Sequence, residues 1–277
     1  MIAALEKYLK GLGSVTVAYS GGVDSTFLVA MSAHILGAKK VVAMTMQSLL
    51  TPPWEVAFAE ELCQTRRIRH LLLDGSFVLR DARIAANPPQ RCYYCKRKIL
   101  EAMREKIPAD SPLLAGTNAS DVADFRPGIR AEEEMGVRTP LRELGFTKEA
   151  IRKYSQAYAI PGFERPSSPC FATRIPYGEP ITLDKVRLIE RAEQFLRGLG
   201  FGLVRVRLIT GDTAGQRATD QRVTFGFGCI EVAGEEVKRA LELHKTIARY
   251  LLTLGFSRVT LDLEGYQQGK LNKGVTG

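Results

Sequence analysis

The chain lacks any uninterrupted apolar run near the roughly 18 residues that a membrane-spanning helix requires. Its opening, MIAALEKYLKGLGSVTVAYS, has neither the basic start nor the small-residue cleavage site of an export signal, so a cytoplasmic location is expected and a membrane partner is not. Cysteine is scarce, with five in 277 residues, and without an export signal these do not read as a disulfide framework. The three histidines, His34, His70 and His244, are scattered without metal-ligand spacing and receive no role. There is no internal repeat. There is also no separate basic arm or tail: the net charge of +9 comes from 23 basic and 18 acidic residues over 1–165, and 16 and 12 over 166–277. An excess spread in this way suits phosphorylated small molecules or an ordinary solvated surface, and nucleic acid is not the expected partner.

What is present is the composition of a globular chain with a real core, 45% hydrophobic and 25% charged, and a length that suits two domains. Residues 1–160 alternate strand-like runs (SVTVAYS, KKVVAMTM, IRHLLLD, SPLLAGT) with helical apolar spacing over 25–36, 53–66 and 93–106. That alternation predicts an α/β fold, a doubly wound parallel sheet covered by helices. Five prolines fall within 161–181, which reads as a linker that also carries chemistry. Residues 182–277 are expected to form a smaller α+β domain. Its elements are a helix over 182–199 capped by Thr182, a strand in LVRVRLI, one helix over 234–254 and a closing strand in SRVTLDL, with a β-α-β core. The stretch TGDTAGQRATDQRVTFGFG reads as a long loop or hairpin.

In VTVAYSGGVDST a strand runs directly into Ser20, Gly21, Gly22, Val23, Asp24, Ser25 and Thr26, and a helix follows. Two glycines permit a tight turn, several N–H groups can converge on phosphate oxygens, and the helix N-terminus adds a favourable dipole. Ser20, Ser25 and Thr26 offer hydroxyls, and Asp24 can orient the loop or help hold Mg2+. This is neither the GxxxxGK[ST] loop nor the GxGxxG loop. Asn118, Asp121 and Asp124 follow an apolar strand, at the carboxyl end where open α/β sheets bind ligands, and can hold ribose or metal or simply bond within their own turn. Arg205 and Arg207 alternate on a strand and so share one face, suited to phosphate or carboxylate or left as an exposed sheet edge.

SGGxDS after a first strand resembles the PP-loop ATP pyrophosphatases, which cleave ATP between the α and β phosphates and leave an adenylated substrate. With GTNASDVADFRPGIRA (116–131), TPLRELGFTKEAIR (139–152), RIPYGEPIT (174–182), VRVR (204–207) and VTLDLEGYQQGKLN (259–272), nearly the whole chain resembles the LarE family of ATP-dependent sulfur transferases. The resemblance implies ATP and Mg2+ as cofactors, the fold of the adenine nucleotide alpha hydrolases, and a tendency to assemble into homo-oligomers. It also implies the substrate: a carboxylate of a pyridinium biscarboxylate mononucleotide, in the making of the nickel-pincer cofactor. That carboxylate is adenylated and then converted to a thiocarboxylate, with sulfur from a sulfide source or donor. It further implies that Arg174 faces pyrophosphate or the acyl phosphate with Thr173 beside it, and that Glu193 and Glu231 line the site. The sequence departs from the family in a long insertion between VRVR and Ile230-Glu231.

The sulfur source has two forms among proteins of this kind. Some sacrifice a single cysteine in the segment where Cys170 lies. Others resemble iron–sulfur thiolases, in which three thiolates hold a [4Fe–4S] cluster. Cys92 and Cys95, a CxxC in PPQRCYYCKRK, fit the second form together with Cys170. Arg91, Lys96, Arg97 and Lys98 would favour thiolates there. The same cysteines also admit structural zinc, with Cys229 as a fourth ligand, or a redox-active pair. Cys63 and Cys229 otherwise sit in apolar surroundings typical of buried thiols. A tRNA thiolase and a non-enzymatic nucleotide sensor with a zinc clip are the competing functions.

Overall fold

A computed structural model of the chain describes residues 1–108, 111–123, 127–210 and 225–267. It divides into two compact units, Met1–Ile84 with Gln90–Ser168, and Ala85–Pro89 with Pro169–Gly277. The division after Ser168 falls inside the proline-rich stretch 161–181. The short segment Ala85–Pro89, early in the chain, belongs to the second unit, which no linear boundary in the sequence suggests.

The first unit contains α1 (Ile2–Leu12), β1 (Val15–Ala18), α2 (Val23–Leu36), β2 (Val41–Gln47), α3 (Pro53–Thr65), β3 (Arg69–Asp74), α4 (Ala82–Ala85, its last residue in the second unit), α5 (Arg91–Arg104), β4 (Leu113–Ala115), α6 (Pro127–Glu134), α7 (Pro140–Glu143) and α8 (Lys148–Ala157). Its sheet is parallel throughout, in the order β3-β2-β1-β4. The chain winds outward from β1 to β3 and then returns to place β4 on the other side of β1, so the winding reverses between β1 and β4. The period of two along each strand sorts side chains to opposite faces. Val15, Val17, Val41, Ala43 and Leu114 enter one core with Leu5, Phe27 and Leu28, whereas Met44, Met46, Leu113 and Ala115 enter another with Leu100 and Met103. This is the doubly wound α/β fold that the alternation predicts. Within it, α2 is buried continuously from Ser25 to Ser32, because VDSTFLVAMSAHIL is apolar on every side and suits a central helix.

The second unit contains α9 (Leu183–Gly198), β5 (Val204–Ile209), β6 (Phe227–Val232), α10 (Val237–Glu242), α11 (His244–Leu254) and β7 (Arg258–Leu261). Its mixed sheet has the order β5-β6-β7, with β5–β6 antiparallel and β6–β7 parallel. Thr182 caps α9 as expected, its hydroxyl accepting from Lys185 N at 3.3 Å. The central strand β6 begins at the end of the stretch read as a long loop or hairpin and pairs antiparallel with β5, as the hairpin alternative expects. One local expectation is corrected. The helix expected over 234–254 is a 3-10 turn followed by α10 and α11, broken at Leu243. At the break the His244 ring Nδ1 lies 2.7 Å from the Leu241 carbonyl.

Asn87 ties Ala85–Pro89 into this unit. It is buried in the left-handed region at φ 56, and its Nδ2 donates to the carbonyls of Ile175, Pro176 and Glu179 at 3.3, 2.7 and 3.1 Å. Among the described residues, no helix is long and apolar enough to cross a membrane.

Candidate functional site

The nucleotide-type loop joins β1 to α2. Gly21 has φ 78, and a Cβ there would collide with the Glu55 carbonyl oxygen, so only glycine fits. The hydroxyls expected to face a ligand also brace the turn. Ser20 and Ser25 Oγ lie 3.0 Å apart, Ser25 Oγ donates to the Gly22 carbonyl, and Gly22 N donates to Ser20 Oγ at 3.4 Å. Thr26 is buried and turned inward, with its Oγ1 3.3 Å from the Tyr19 hydroxyl and donating to the Gly21 carbonyl.

The reversal of winding brings the turn after β4 to this loop. Gly116 leaves the backbone close enough that a Cβ would lie 2.7 Å from Ser25 N. Asn118, fully buried, donates from Nδ2 to Asp24 Oδ2 at 2.9 Å, and its own N–H donates to Asp121 Oδ2 at 3.2 Å. Asp121 pairs with Lys148 at 3.2 Å. Asn118 and Asp121 thus show the turn bonding that the sequence leaves as one alternative, and Asn118 also bonds to Asp24 of the nucleotide-type loop. Asp124 lies outside the described residues.

Residues that the sequence reading did not single out complete this loop. Arg165 donates to the Gly21 carbonyl at 3.2 Å, pairs with buried Glu55 at 2.6 Å, and lies over the Phe58 ring at 4.1 Å. The proline-rich stretch gave one arginine among several, and only folding shows that its guanidinium holds the loop.

Cys92 and Cys95 occupy the first turn of α5, three residues apart and therefore on one face, and both are partly exposed. Arg91 donates to Cys92 Sγ at 3.5 Å. Lys96 pairs with buried Glu132 at 2.7 Å, and Thr117 donates to the other Glu132 oxygen, also at 2.7 Å. Burial alone would lower the Lys96 pKa, but the charges of Glu132, Cys95 and Cys92 outweigh it and hold the ammonium above its ordinary value. A thiol pair flanked by fixed cations is a donor set that fits an iron–sulfur cluster. Cys170 belongs to the second unit, and among the described residues no group of three or more His, Cys, Asp or Glu side chains able to hold a metal ion is found.

In the second unit, Arg174 and Thr173 bond to the Cys170 backbone, and Glu193 and Arg207 are tied to them in turn. Arg174 is fully buried, and Nε and Nη2 grip the two Glu193 oxygens at 2.8 and 3.0 Å. Its Nη1 donates to the carbonyls of Pro169 and Cys170 at 2.6 and 3.1 Å and to Thr173 Oγ1 at 2.9 Å. Thr173 Oγ1 in turn donates to the Cys170 carbonyl at 2.9 Å. Arg174 therefore faces Glu193 and the backbone that carries Cys170, where the resemblance implied a phosphate. Glu193 also accepts from Val206 N at 3.0 Å, which docks α9 on β5.

Arg205 and Arg207 share one face of β5, opposite Glu231 and Cys229 of β6. Arg207 pairs with Glu231 at 2.6 Å and donates to the Thr173 carbonyl at 3.0 Å. Glu231 Oε2 is buried and has no hydrogen-bond partner among the described residues. Burial, reinforced by the nearby positive charge of Arg174, lowers the Arg205 pKa to about 10. Cys63 is buried, and burial pushes its thiol up to about 12, as expected of an inert core cysteine.

Residues 1–78 match the family model described as NAD synthase. The chain is 35% identical over 280 residues to an uncharacterized protein of Synechocystis sp., with 98% of this chain and 97% of that protein covered. It is 34% identical over 281 residues to the pyridinium-3,5-bisthiocarboxylic acid mononucleotide synthase of Lactiplantibacillus plantarum, with 99% and 94% covered. An uncharacterized protein of Methanocaldococcus jannaschii is 25% identical over 256 residues, with 91% and 90% covered. A phosphate-type loop at the β1–β4 reversal and a kinship running almost end to end agree: the chain belongs to the LarE family of ATP-dependent sulfur transferases, within the PP-loop superfamily.

Proposed function

We propose that this enzyme adenylates a carboxylate of pyridinium-3,5-biscarboxylic acid mononucleotide and converts it to a thiocarboxylate. The observation that carries this reading is the 34% identity, over 99% of the chain, to the synthase of the bisthiocarboxylic product. In the division of labour we propose, residues 1–160 cleave ATP, 161–181 carry Cys170 and Arg174, and 182–277 bind the mononucleotide.

The backbone N–H groups of Gly21 and Gly22, with Ser20 and Ser25, receive the ATP phosphates at the start of α2. Asp24, oriented by Asn118, helps hold Mg2+, and Asn118 and Asp121 stand where a ribose or the metal would lie. The substrate carboxylate attacks the α-phosphorus, its oxygen forms the new bond, and pyrophosphate leaves with the electrons of the old one. Adenylation turns a poor electrophile into one with a good leaving group, so that a sulfur nucleophile can add to the acyl carbon and expel AMP. Arg207, partly exposed beside buried Glu231, is suited to a substrate phosphate or carboxylate, with Arg205 on the same face. Arg174, Thr173 and Glu193 fix the Cys170 backbone for the sulfur step.

Cys92, Cys95 and Cys170 would supply three thiolates to a [4Fe–4S] cluster, which when bound offers an exchangeable sulfide. Arg91 donates to Cys92 Sγ, and Lys96 adds a second cation in the same turn of helix. A second reading, Cys170 as a single-use donor, is favoured by its partial exposure together with a carbonyl pinned by both Thr173 and Arg174. The cluster reading needs a sulfide source or donor to renew its sulfur, whereas the single-use reading spends Cys170, and we include assembly into a homo-oligomer among the expectations.

The test is anaerobic reconstitution followed by ATP, sulfide and the biscarboxylate nucleotide, with the product read by mass spectrometry. Thiocarboxylate and pyrophosphate should appear, and their absence sinks the function. Iron and acid-labile sulfide are measured alongside, in the native chain and in Cys92→Ala, Cys95→Ala and Cys170→Ala. About four irons per chain, lost in each variant, support the cluster. No iron, with dehydroalanine at position 170 after reaction, supports the single-use donor.

A further inference from the structure

The strongest feature outside the proposed chemistry lies at the amino-terminal edge of the parallel sheet, the end opposite the nucleotide-type loop. A cavity of about 200 Å³ opens there, lined by the starts of β1, β2 and β3 and by Ile107, Pro108, Ser111 and Pro112. Val15, Val42, Leu71 and Ile107 contribute apolar lining. Lys39, Lys40, Arg69 and Lys106 also line it, and no acidic residue does so among the described residues. All four cations are exposed, and among the described residues none forms an ion pair. Several other cations of the first unit are paired, as at Lys96–Glu132, Lys148–Asp121 and Arg165–Glu55. Four cations converging on one concavity repel one another, and an anion relieves that repulsion. The sequence conceals the cluster because its members stand at 39 and 40, 69 and 106, on three different stretches of chain that only the parallel sheet brings together.

We propose that this cavity is a second anion site, distinct from the ATP loop, which takes a phosphorylated small molecule: phosphates against the four cations and a ring or apolar body over Val42, Leu71 and Ile107. The combination suits a nucleotide-like ligand better than a bare ion, because a solvated ion makes no use of an apolar floor.

The site is tested by titration calorimetry on the full chain, with the ATP loop first saturated by a non-hydrolysable ATP analogue and Mg2+. Inorganic tripolyphosphate probes the phosphate contacts alone, and GTP probes phosphates together with a ring. One further saturable site per chain is expected, with GTP the tighter ligand. In Lys40→Gln/Arg69→Gln the affinity of both probes should fall at least about tenfold, as expected for loss of two charge-assisted contacts. Binding of the ATP analogue and the thermal midpoint should stay unchanged, since both replaced side chains are exposed. Lys39→Gln/Lys106→Gln, which alters the other two cations, should give the same loss. The absence of a saturable second site overturns the proposal, and so does a second site that neither double variant weakens.

Discussion

At Gly21 the backbone has φ 78, and a methyl group would strike the Glu55 carbonyl. Gly21→Ala therefore incurs both the left-handed penalty, about 1–2 kcal/mol, and a displacement of α3 from the loop. Pyrophosphate release should be lost while the fold persists at a lower thermal midpoint. Gly13→Ala is the control: its φ is 74 but nothing lies within 4 Å, so it should lower the midpoint without touching ATP turnover. Equal turnover in the two variants would refute the assignment of the loop. A second residue-scale expectation concerns Arg174 and Glu193, whose side chains are both fully buried. Removing one partner leaves a buried charge uncompensated, so Glu193→Ala should destabilise the chain by about 3–5 kcal/mol in urea unfolding. The double change Glu193→Ala/Arg174→Met should recover part of that loss. If the double variant is no more stable than the single one, the pair is not the source of the penalty.

Across strands, His70 of β3 lies 2.8 Å from Thr45 Oγ1 of β2, which donates to the Tyr19 carbonyl beyond β1 at 2.8 Å. The line runs from the outer strand to the residue just before the nucleotide-type loop. Burial holds the His70 pKa below its ordinary 6.5, against an opposing effect of Glu60. The unfolded chain therefore binds this proton more tightly than the folded one, so the contribution is complete above pH about 6.5 and is lost as pH falls below it. Urea unfolding at about pH 7.5 and about pH 5 should show a drop in stability that His70→Gln reduces. An undiminished drop in His70→Gln would assign the pH dependence to other groups. The same elements show what periodicity could reveal. The four strands of the first sheet and the Thr182 cap were legible because their apolar runs and hydroxyl positions are local signals. The strand β6 was legible only as part of a loop-or-hairpin stretch, because glycines interrupt its apolar run, and the break at Leu243 was not, because no Gly or Pro marks it.

For the molecule as a whole, the crossing of Ala85–Pro89 into the second unit is secured by Asn87 together with the Ala85 carbonyl, which accepts from Ile181 N at 2.8 Å. Asn87 supplies a left-handed backbone, which asparagine tolerates, and an amide reaching three carbonyls. Asn87→Ala loses both and should cost about 2–3 kcal/mol. Asn87→Gly keeps the backbone freedom and should lose only the hydrogen-bond share, so its thermal midpoint should fall between those of Asn87→Ala and the native chain. An Asn87→Gly chain as unstable as Asn87→Ala would mean that the backbone conformation contributes nothing.

The sequence alone determined the class of fold, the loop 20–26, the CxxC at Cys92 and Cys95, and the kinship of nearly the whole chain, because each is written in residues that stand close together. The tertiary structure decided what distant residues do to one another. It gave Arg165 to the nucleotide-type loop, turned Arg174 toward Glu193 and the Cys170 backbone, moved Ala85–Pro89 into the second unit, and gathered Lys39, Lys40, Arg69 and Lys106 around one cavity. The physical reason is common to all four: charge and hydrogen-bond partners act over a few ångströms of space whatever their separation in sequence, and only packing sets which groups come that close.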